Sequence, residues 1–447
     1  MHTDFLIDVF KNNSEGEAII WNDHSYTYDW LLNAIDDWRR RLSAEKLPDS
    51  AVVSIEADFS PTAVALLLVL IDKNCVIVPL TSSVESNKPE FREIAQIESV
   101  IKIDHKEQVT IEKTKNSVKH ELILGLKDKH HPGLVLFSSG STGKSKAAIH
   151  DIVPMLEKFK VPRNSMRSIT FLLFDHIGGF NTLLYNLSNA GCIITVKDRK
   201  PETICSAIEK YNVELLPTSP TFINLLLVSE AYKHYDLSSL KLVTYGTEVM
   251  PESTLKKLHQ LFPDIKLLQT YGLSEVGILR SKSKSSDSLW VKVGGEGFDT
   301  RIVDGMLEIK AKSAMLGYLN APSPFTDDGW FITGDAVEVD GEYIKILGRK
   351  SEIINVGGEK VYPAEIESLL QQMDGVEDIA ITGESNPLTG QIVKAKVKLN
   401  TEEKVSEFRK RMREFCKGKI EKYKIPQKVI LAEDSLHGER FKKMRRF

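Results

Sequence analysis

Residues 137–146 read Phe137-Ser-Ser-Gly-Ser-Thr-Gly-Lys-Ser-Lys146 and continue the apolar run that starts at Gly133. The apolar run predicts an interior β-strand, and the Gly, Ser and Thr residues after it predict a loop. Such a loop exposes backbone N–H groups and hydroxyls, and its two lysines add positive charge. These groups can surround the oxygens of a phosphate. The segment therefore indicates a phosphate-binding loop at the end of a strand.

Two patterns of phosphate loop compete for this segment. A Walker P-loop needs Gly-x-x-x-x-Gly-Lys-Ser/Thr, and Ser138 stands where its first glycine is required. The other pattern is the hydroxyl-rich loop Ser/Thr-Ser-Gly-Ser/Thr-Thr-Gly-x-Pro-Lys. The chain matches it from Ser138 to Lys146, with Ser145 in place of the proline. A plain Ser/Gly turn is the third interpretation, so other parts of the chain have to decide.

Length and composition describe an ordinary folded protein. The chain has 447 residues, 42% hydrophobic and 27% charged, and 59 Lys and Arg against 62 Asp and Glu give a net charge of −3. This length suggests about two to four domains. The composition argues against a disordered, collagen-like or disulfide-scaffold protein. The balanced charge predicts no nucleic-acid binding.

Cysteine spacing and apolar runs indicate the compartment. The four cysteines (Cys75, Cys192, Cys205 and Cys416) form no CxxC pair, so a zinc ribbon or a redox dithiol is not expected and a reducing environment fits best. The amino terminus lacks a basic-then-apolar signal pattern. The longest apolar run, residues 63–71, is shorter than the roughly 20 residues that a bilayer span needs. We expect a cytoplasmic protein with no membrane span.

Apolar β-branched runs alternate with helical stretches along most of the chain. Helices are predicted around Pro201–Tyr211 and Pro251–Leu261, each between strand patterns. This alternation predicts βαβ units and largely parallel sheets. From about Trp290 the pattern changes to short strands with Asp-Gly turns, as in Val303-Asp-Gly-Met and Val339-Asp-Gly-Glu. That section predicts an antiparallel, barrel-like sheet.

The chain after Arg349 predicts a separate small domain. A helix begins near Pro363, strand patterns follow at 379–382 and 393–397, and a second helix is expected at 402–417. The polar run at 281–288 is expected to be a surface loop. The predicted fold class is α/β: a large N-terminal domain of βαβ subdomains plus a small β-barrel-like section (residues 1–349), followed by a small α+β C-terminal domain (residues 350–447).

Further segments resemble a known family, in order along the chain. They are Thr270-Tyr-Gly-Leu-Ser-Glu275, Trp330-Phe-Ile-Thr-Gly-Asp335 and Gly348-Arg-Lys-Ser-Glu-Ile-Ile-Asn-Val-Gly-Gly-Glu-Lys360. Each motif alone is weak, since Gly-Asp and Tyr-Gly pairs are common in loops. Together with the Ser138–Lys146 loop they resemble the adenylate-forming (acyl-CoA synthetase, AMP-binding ligase) superfamily. The resemblance covers nearly the whole chain.

The resemblance implies a nucleotide site for ATP and Mg²⁺. The implied phosphate loop consists of Ser138, Ser139, Gly140, Ser141, Thr142, Gly143 and Lys146. Tyr271, followed by Gly272, is implied to stack on adenine, which Gly246 flanks on another segment. Ser274 is implied to offer its hydroxyl to the α-phosphate, and Glu275 to bind Mg²⁺, a hard cation that prefers carboxylate oxygen.

Further roles follow from the same resemblance. Asp335 is implied to accept hydrogen bonds from the ribose hydroxyls, and Arg349 to contact ribose or phosphate. The small C-terminal domain is implied to be mobile, rotating about a hinge at Ser351. That rotation brings the loop at Gly357, Gly358 and Lys360 beside a tunnel for a pantetheine thiol.

The segment Phe174-Asp-His-Ile-Gly-Gly-Phe180 resembles a His-x-x-Gly segment of the coenzyme A ligases. The resemblance implies that His176 lines the route from thiol to carboxylate. A lone histidine is more often structural, and no second His or Cys stands at metal-ligand spacing. The apolar residues around these segments are candidates for an acyl pocket, although core packing explains them equally well: Phe174, Ile177, Phe180, Leu273 and Val276.

The last twelve residues, 436–447, depart most from the family. The usual ending is Leu-Pro-x-Thr-x-x-Gly-Lys-Ile-x-Arg, whose lysine is catalytic. An ungapped alignment on Leu436 makes Lys443 that lysine, and a one-residue gap makes it Lys442. A solvated basic tail is the third interpretation. In that case the active site would lack this lysine, and the first reaction step, which activates the acid, would be severely slowed.

The implied activity is ATP-dependent activation of a carboxylic acid. An acyl-adenylate forms, pyrophosphate leaves, and the acyl group passes to the thiol of coenzyme A. The alternative acceptor is the phosphopantetheine of an acyl or peptidyl carrier protein. Two other classes stay open: a P-loop phosphotransferase and a non-catalytic nucleotide-binding relative. The sequence does not predict which carboxylic acid is used.

Overall fold

The computed structural model of the chain describes residues 1–139, 145–438 and 441–445. The α-helices in these ranges are α1 (Asp4–Asn12), α2 (Tyr28–Ala44), α3 (Pro61–Asp72), α4 (Lys88–Ile94), α5 (Glu121–Lys129), α6 (Ile152–Leu156), α7 (Ile177–Ser188), α8 (Pro201–Tyr211), α9 (Pro220–Ser229), α10 (Glu252–Leu261), α11 (Pro363–Leu370) and α12 (Val405–Cys416).

The strands in the same ranges are β1 (Glu17–Trp21), β2 (His24–Thr27), β3 (Val52–Glu56), β4 (Val76–Pro79), β5 (Ser99–Ile103), β6 (Val109–Lys113), β7 (Gly133–Ser139), β8 (Ser145–Asp151), β9 (Arg167–Ile169), β10 (Cys192–Ile194), β11 (Leu215–Thr218), β12 (Leu242–Tyr245), β13 (Lys266–Gln269), β14 (Gly272–Leu273), β15 (Gly277–Ile278), β16 (Arg280–Ser283), β17 (Trp290–Gly294), β18 (Phe298–Val303), β19 (Met306–Ala311), β20 (Gly317–Tyr318), β21 (Phe331–Asp340), β22 (Tyr343–Arg349), β23 (Ile354–Val356), β24 (Glu359–Val361), β25 (Val376–Asn386), β26 (Gly390–Leu399) and β27 (Lys428–Leu431).

Two large sheets form most of the N-terminal part. The strand order is β13-β12-β11-β9-β10-β1-β2 in one and β20-β8-β7-β4-β3-β5-β6 in the other. The inner strands run parallel, and β2, β6, β8 and β20 are antiparallel additions. Residues of β3 are buried along its whole length, as expected for a strand covered on both faces. The predicted βαβ organisation is confirmed.

Helix α3 explains the longest apolar run. Its side chains are buried on all sides, and the Ser60 hydroxyl caps its first turn by accepting from the Ala63 N–H at 3.2 Å. The run at 63–71 is therefore a core helix, as predicted. Among the described residues, none of the helices combines the length and apolar character that a bilayer crossing requires.

The antiparallel section is also confirmed. Its strand order is β16-β17-β22-β21-β19-β18. Asp304 and Gly305, at the turn between β18 and β19, have φ values of 51° and 73°, and positive φ at both central residues is the reason that hairpin turns favour Asp-Gly. The loop expected at 281–288 is partly wrong, because Arg280–Ser283 forms β16. An edge strand tolerates such polar residues, since one side of it faces water.

The C-terminal part forms its own small α+β unit. Strands β23 to β27 make one sheet, against which α11 and α12 pack around a separate apolar core that includes Ile366, Val393 and Phe408. Helix α12 lies inside the range predicted for it. The fold class is thus confirmed, while the boundary between residues 349 and 350 stays a prediction.

Candidate active site

A cleft of 340 Å³ collects residues from distant parts of the sequence. It lies where the N-terminal sheets, the antiparallel section and the C-terminal tail meet. The predicted residues that line it are Ser138, His176, Tyr271, Gly272, Ser274, Glu275, Asp335, Arg349, Lys442 and Lys443. Residues that the sequence motifs did not single out also line it, namely Thr247, Glu248, Gln269, Glu352 and Arg445.

Asp335 lies in the cleft with its carboxylate held from two sides. The Tyr271 hydroxyl donates to Asp335 Oδ2 at 2.6 Å, and Arg349 Nε lies 3.4 Å from Oδ1. Residues 335 and 349 are register partners on β21 and β22. Burial raises the pKa of Asp335, against the opposing effects of Arg349 and Tyr271. This oriented carboxylate suits acceptance from ribose hydroxyls, although its hydrogen bond to Tyr271 was not predicted.

Glu275, the predicted Mg²⁺ ligand, is oriented by a residue that the sequence did not reveal. The Tyr318 hydroxyl donates to Glu275 Oε1 at 2.6 Å. The Lys146 ammonium lies 5.0 Å from the centroid of the Tyr318 ring, within cation–π range. No local pattern marks Tyr318, because it lies 43 residues from Glu275 in the chain.

In the described part of the chain, no group of three or more His, Cys, Asp or Glu side chains could hold a metal ion. Mg²⁺ in nucleotide sites is usually held by one or two carboxylates together with substrate phosphates and water. One oriented carboxylate therefore fits a magnesium that arrives with a nucleotide. The role of Glu275 stays a prediction.

The hydroxyl-rich loop joins two antiparallel strands. Strands β7 and β8 pair from Gly133 with Asp151 to Ser139 with Ser145, so a strand follows the loop. A Walker loop leads into a helix whose N-terminus faces the phosphate, so this topology contradicts the P-loop interpretation. The predicted loop residues Gly140, Ser141, Thr142 and Gly143 lie outside the described residues.

Asn320 secures the strand that follows the loop. Its Oδ1 accepts from the Ala147 N–H at 3.0 Å, and its Nδ2 donates to the Ser145 carbonyl at 2.8 Å. Asn320 thereby holds the first residues of β8, next to Lys146. This contact spans more than 170 residues of chain, and no sequence motif indicates it.

The segment after β12 approaches the cleft closely. A Cβ on Gly246 would lie 2.7 Å from the Thr270 carbonyl oxygen, so only glycine fits there. Two residues on, Glu248 accepts from the Thr221 hydroxyl at 2.6 Å and also from the Lys443 N–H. Glu248 therefore ties the C-terminal tail to the N-terminal domain, a role that the sequence did not suggest.

His176 caps a helix and also lines the cleft. Its Nδ1 accepts from the Gly178 N–H at 3.0 Å and so caps helix α7, which is a structural function. The same side chain lines the cleft. Its predicted place on the route between thiol and carboxylate stays a prediction.

The predicted acyl-pocket residues are divided between cleft and core. Leu273 and Ile177 line the cleft, and Ile177 also lines a small cavity next to it, together with Phe180. Phe174 and Val276 are buried in apolar clusters, so core packing explains them.

The C-terminal tail is docked on the N-terminal domain. The Ser219 hydroxyl donates to the Phe441 carbonyl at 2.9 Å, and the Phe441 ring lies 5.4 Å from Phe171 and 5.9 Å from Phe222 between centroids. Arg445 forms a bidentate pair with buried Glu367 at 2.8 and 2.9 Å. These contacts contradict the solvated-tail interpretation for Phe441 and Arg445, whereas Lys442 and Met444 are exposed.

The two candidate lysines have different surroundings. Lys443 Nζ lies 3.1 Å from Oδ1 of buried Asp378, and its side chain is 10% exposed. Burial alone would lower the pKa of Lys443, but the carboxylates of Asp378 and Glu367 outweigh burial and raise it. Lys442 is exposed and lines the cleft. The Lys443 ammonium is therefore bound to a carboxylate of the C-terminal domain.

The glycine loop lies elsewhere. Gly357 and Gly358 form the exposed turn between β23 and β24, both with positive φ, and Lys360 follows on β24. None of the three lines the cleft. A larger cavity of 580 Å³, lined by residues such as Asp23, His105 and Lys210, contains none of the predicted site residues of the described chain.

Comparison with known proteins matches two family models to the chain. The AMP-binding enzyme model matches residues 11–305, and the AMP-binding enzyme C-terminal domain model matches residues 365–442. An indoleacetate–CoA ligase of Aromatoleum aromaticum is 28% identical over 68% of this chain, and the match spans 64% of that relative. The putative acyl–CoA ligase YdaB of Bacillus subtilis is 25% identical over 96% of this chain and 94% of its own length.

The fold has close structural neighbours. The anthranilate CoA ligase AuaEII in complex with anthranoyl-AMP superposes with a TM-score of 0.82 at 18% identity, over 99% of this chain and 95% of that one. At this identity the likeness shows the fold alone. The family models cover most of the chain, and the chain therefore belongs to the AMP-binding enzyme family, the adenylate-forming superfamily that its motifs resemble.

Proposed function

We propose that this chain activates a carboxylic acid with ATP, releases pyrophosphate, and transfers the acyl group of the acyl-adenylate to the thiol of coenzyme A. One observation carries the proposal: Ser274, Glu275, Asp335, Arg349 and a tail lysine converge on one cleft. The curated relatives named as CoA ligases support the acid–thiol ligase class.

In the first half-reaction the carboxylate oxygen attacks the α-phosphorus and pyrophosphate leaves. The chain needs no side-chain nucleophile for this step. Its contribution is to position the reactants and to stabilise negative charge on the phosphoryl oxygens. Asp335 would hold the ribose, and the Ser274 hydroxyl, Arg349 and the exposed tail lysine would face the phosphates. Mg²⁺, held through Glu275, would neutralise phosphate charge.

The second half-reaction requires another arrangement of the two domains. The turn at Gly357 and Gly358 lies outside the cleft, while the tail that carries Lys442 lies inside it. We infer that a rotation about residues 350–352 withdraws the tail and brings the glycine turn to the acyl-adenylate. A few residues that change φ and ψ are enough for such a hinge.

The test is acid-dependent exchange of pyrophosphate into ATP. We expect a panel of carboxylic acids to contain at least one that supports exchange, with AMP as the nucleotide product in the forward direction. Release of ADP and phosphate, or exchange that no acid stimulates, would contradict the proposal. Adding coenzyme A or a carrier protein bearing phosphopantetheine then identifies the acceptor. A thioester formed on the carrier protein and never on coenzyme A would replace the second half of the proposal.

A further inference from the structure

Lys158 is a cation without a carboxylate partner at the edge of the cleft. It lies in the short turn between α6 and β9, and its Nζ donates to the Ile278 carbonyl at 3.3 Å. Among the described residues, no carboxylate is paired with this ammonium. Its neighbours in sequence differ, because Lys160 and Glu157 are exposed and pair with each other at 2.5 Å.

The surroundings of Lys158 disfavour an unpaired charge. Burial, together with the smaller effect of nearby Arg163, lowers the pKa of Lys158 to about 8. The Phe159 ring centroid lies 5.0 Å from the ammonium. A desolvated cation with one carbonyl acceptor lacks the partners that such groups normally have. An anionic ligand would supply them.

Lys158 lines a small cavity that adjoins the cleft. The cavity measures 10 Å³, about the volume that one water needs. Ile177 lines both the cavity and the cleft, and it follows His176 directly. Asn181 and Ser313 add hydrogen-bonding groups to the cavity wall. The cavity therefore lies beside the place where a carboxylic acid would meet the nucleotide, and it has a cation in its wall.

We propose that the acid substrate is a short carboxylic acid with a second anionic group, such as a second carboxylate, and that Lys158 binds this second group. The inference rests on the proposed function, since it names the substrate class of that site. The first carboxylate would lie in the cleft and react, while the second would form charge-assisted hydrogen bonds with Lys158. The small cavity limits the length of the acid.

The experiment compares matched pairs of acids in pyrophosphate exchange. Butyrate is paired with succinate, valerate with glutarate, and longer fatty and aromatic monocarboxylates complete the panel. We expect the dicarboxylate of a pair to have a kcat/KM at least about tenfold higher than its partner, as a charge-assisted contact allows. Lys158→Met should abolish that preference, and Lys158→Arg should keep most of it.

Lys160→Met is the matched control, because it removes an exposed, ion-paired lysine of the same turn and should leave the preference unchanged. Exchange stimulated only by monocarboxylates, or a dicarboxylate preference that survives in Lys158→Met, would overturn the inference while the proposed function stands. Exchange that no acid stimulates would overturn both. Thermal unfolding of each variant with bound ATP distinguishes a lost contact from a misfolded protein.

Discussion

At the scale of single residues, two predicted ligands in the cleft, Glu275 and Asp335, each have a supporting partner from a distant segment. Glu275 is held by the Tyr318 hydroxyl, and Asp335 by that of Tyr271. Both hydrogen bonds measure 2.6 Å and join a phenol to a carboxylate, the kind of charge-assisted bond that fixes orientation. The motifs supply the ligands, and these phenols determine where the carboxylate oxygens point.

Replacing Tyr318 should affect the metal requirement specifically. Tyr318→Phe removes one hydrogen bond from Glu275 and keeps the ring that faces Lys146. We expect the Mg²⁺ concentration for half-maximal pyrophosphate exchange to rise about tenfold, as for loss of a hydrogen bond to a charged group. The measurement is a Mg²⁺ titration at saturating ATP and acid.

Tyr343→Phe is the control for that titration, since Tyr343 lies on β22 and does not line the cleft. It should titrate like the wild type. An unchanged Mg²⁺ requirement in Tyr318→Phe would show that Tyr318 does not orient a metal ligand.

At the scale of elements, the tail at 441–445 gives its two lysines different surroundings, although both line the cleft. His437 and Lys443 form an antiparallel bridge, and Lys443 is turned towards Asp378. Successive side chains of an extended segment point in opposite directions. The ungapped alignment favoured Lys443 as the catalytic lysine. The ion pair between Lys443 and Asp378 instead favours Lys442 as the lysine that would face the nucleotide. The catalytic role of either lysine stays a prediction.

Alanine substitutions separate the two lysines. We expect Lys442→Ala to lower the exchange rate by roughly a hundredfold or more, as for the loss of one preorganised donor. Lys443→Ala should mainly weaken tail docking, which lowers the thermal unfolding temperature. Loss of exchange confined to Lys443→Ala, with normal folding, would return the catalytic role to Lys443. Retained exchange in both variants would remove the tail lysines from the mechanism.

The Arg445–Glu367 pair should make stability depend on pH. Burial would raise the pKa of Glu367, but Arg445 and Lys443 outweigh it and hold the pKa below its ordinary value of 4.5. A lowered pKa means stabilisation that is complete above pH 4.5 and is lost as the pH falls through the folded-state value. Thermal unfolding across this range should show the loss in the wild type.

Two variants check that assignment. Arg445→Met leaves Glu367 buried without its cation and should cost about 3–5 kcal/mol at pH 7. Adding Glu367→Gln should recover part of that loss and flatten the acid dependence, because no buried carboxylate remains at that position. Equal acid dependence in the double variant and the wild type would assign it to other groups.

At the scale of the whole molecule, helices α9 and α10 contact the C-terminal domain through polar groups, whereas Phe441 of the tail packs against Phe171 and Phe222. The Ser253 hydroxyl on α10 donates to the Ser368 carbonyl on α11 at 2.8 Å, and Asn224 Nδ2 donates to the Glu377 carbonyl at 3.2 Å. Such contacts can break without exposing a large apolar surface. This interface is consistent with the domain rotation that the second half-reaction would need.

A cross-link across this interface should separate the two half-reactions. The Ser253 and Ser368 hydroxyl oxygens lie 3.3 Å apart, which suits a disulfide in the double variant Ser253→Cys and Ser368→Cys after small adjustments. The oxidised protein should keep exchange activity and lose thioester formation at least about tenfold, since the hinge can no longer open. Reduction should restore the thioester step.

The single-cysteine variants are the controls, and the four natural cysteines are buried and free. Both single variants should be insensitive to oxidant. Full thioester formation by the cross-linked protein would show that this interface stays closed during transfer.

Much of the fold could be predicted because its signals are local. These signals are the alternation of strands and helices, the Asp-Gly turns and the apolar run at 63–71. Each of them depends on residues that are close together in the sequence, and the structure confirms each of them. The polar strand Arg280–Ser283 was missed because its pairing with β17 is a tertiary contact, and its composition is typical of a loop. The predicted ligands that the structure describes mostly do meet at the cleft.

The sequence by itself determined the family, the order of the motifs and the residue types that the nucleotide site requires, because these reside in short contiguous segments. Only the tertiary structure decided how those residues are supported, as by Tyr318 and Glu248. It also decided that Lys443 faces Asp378 and that Lys158 lies beside the cleft. Such contacts join segments far apart in the chain, and their partners are selected by packing and by the need to satisfy buried charge.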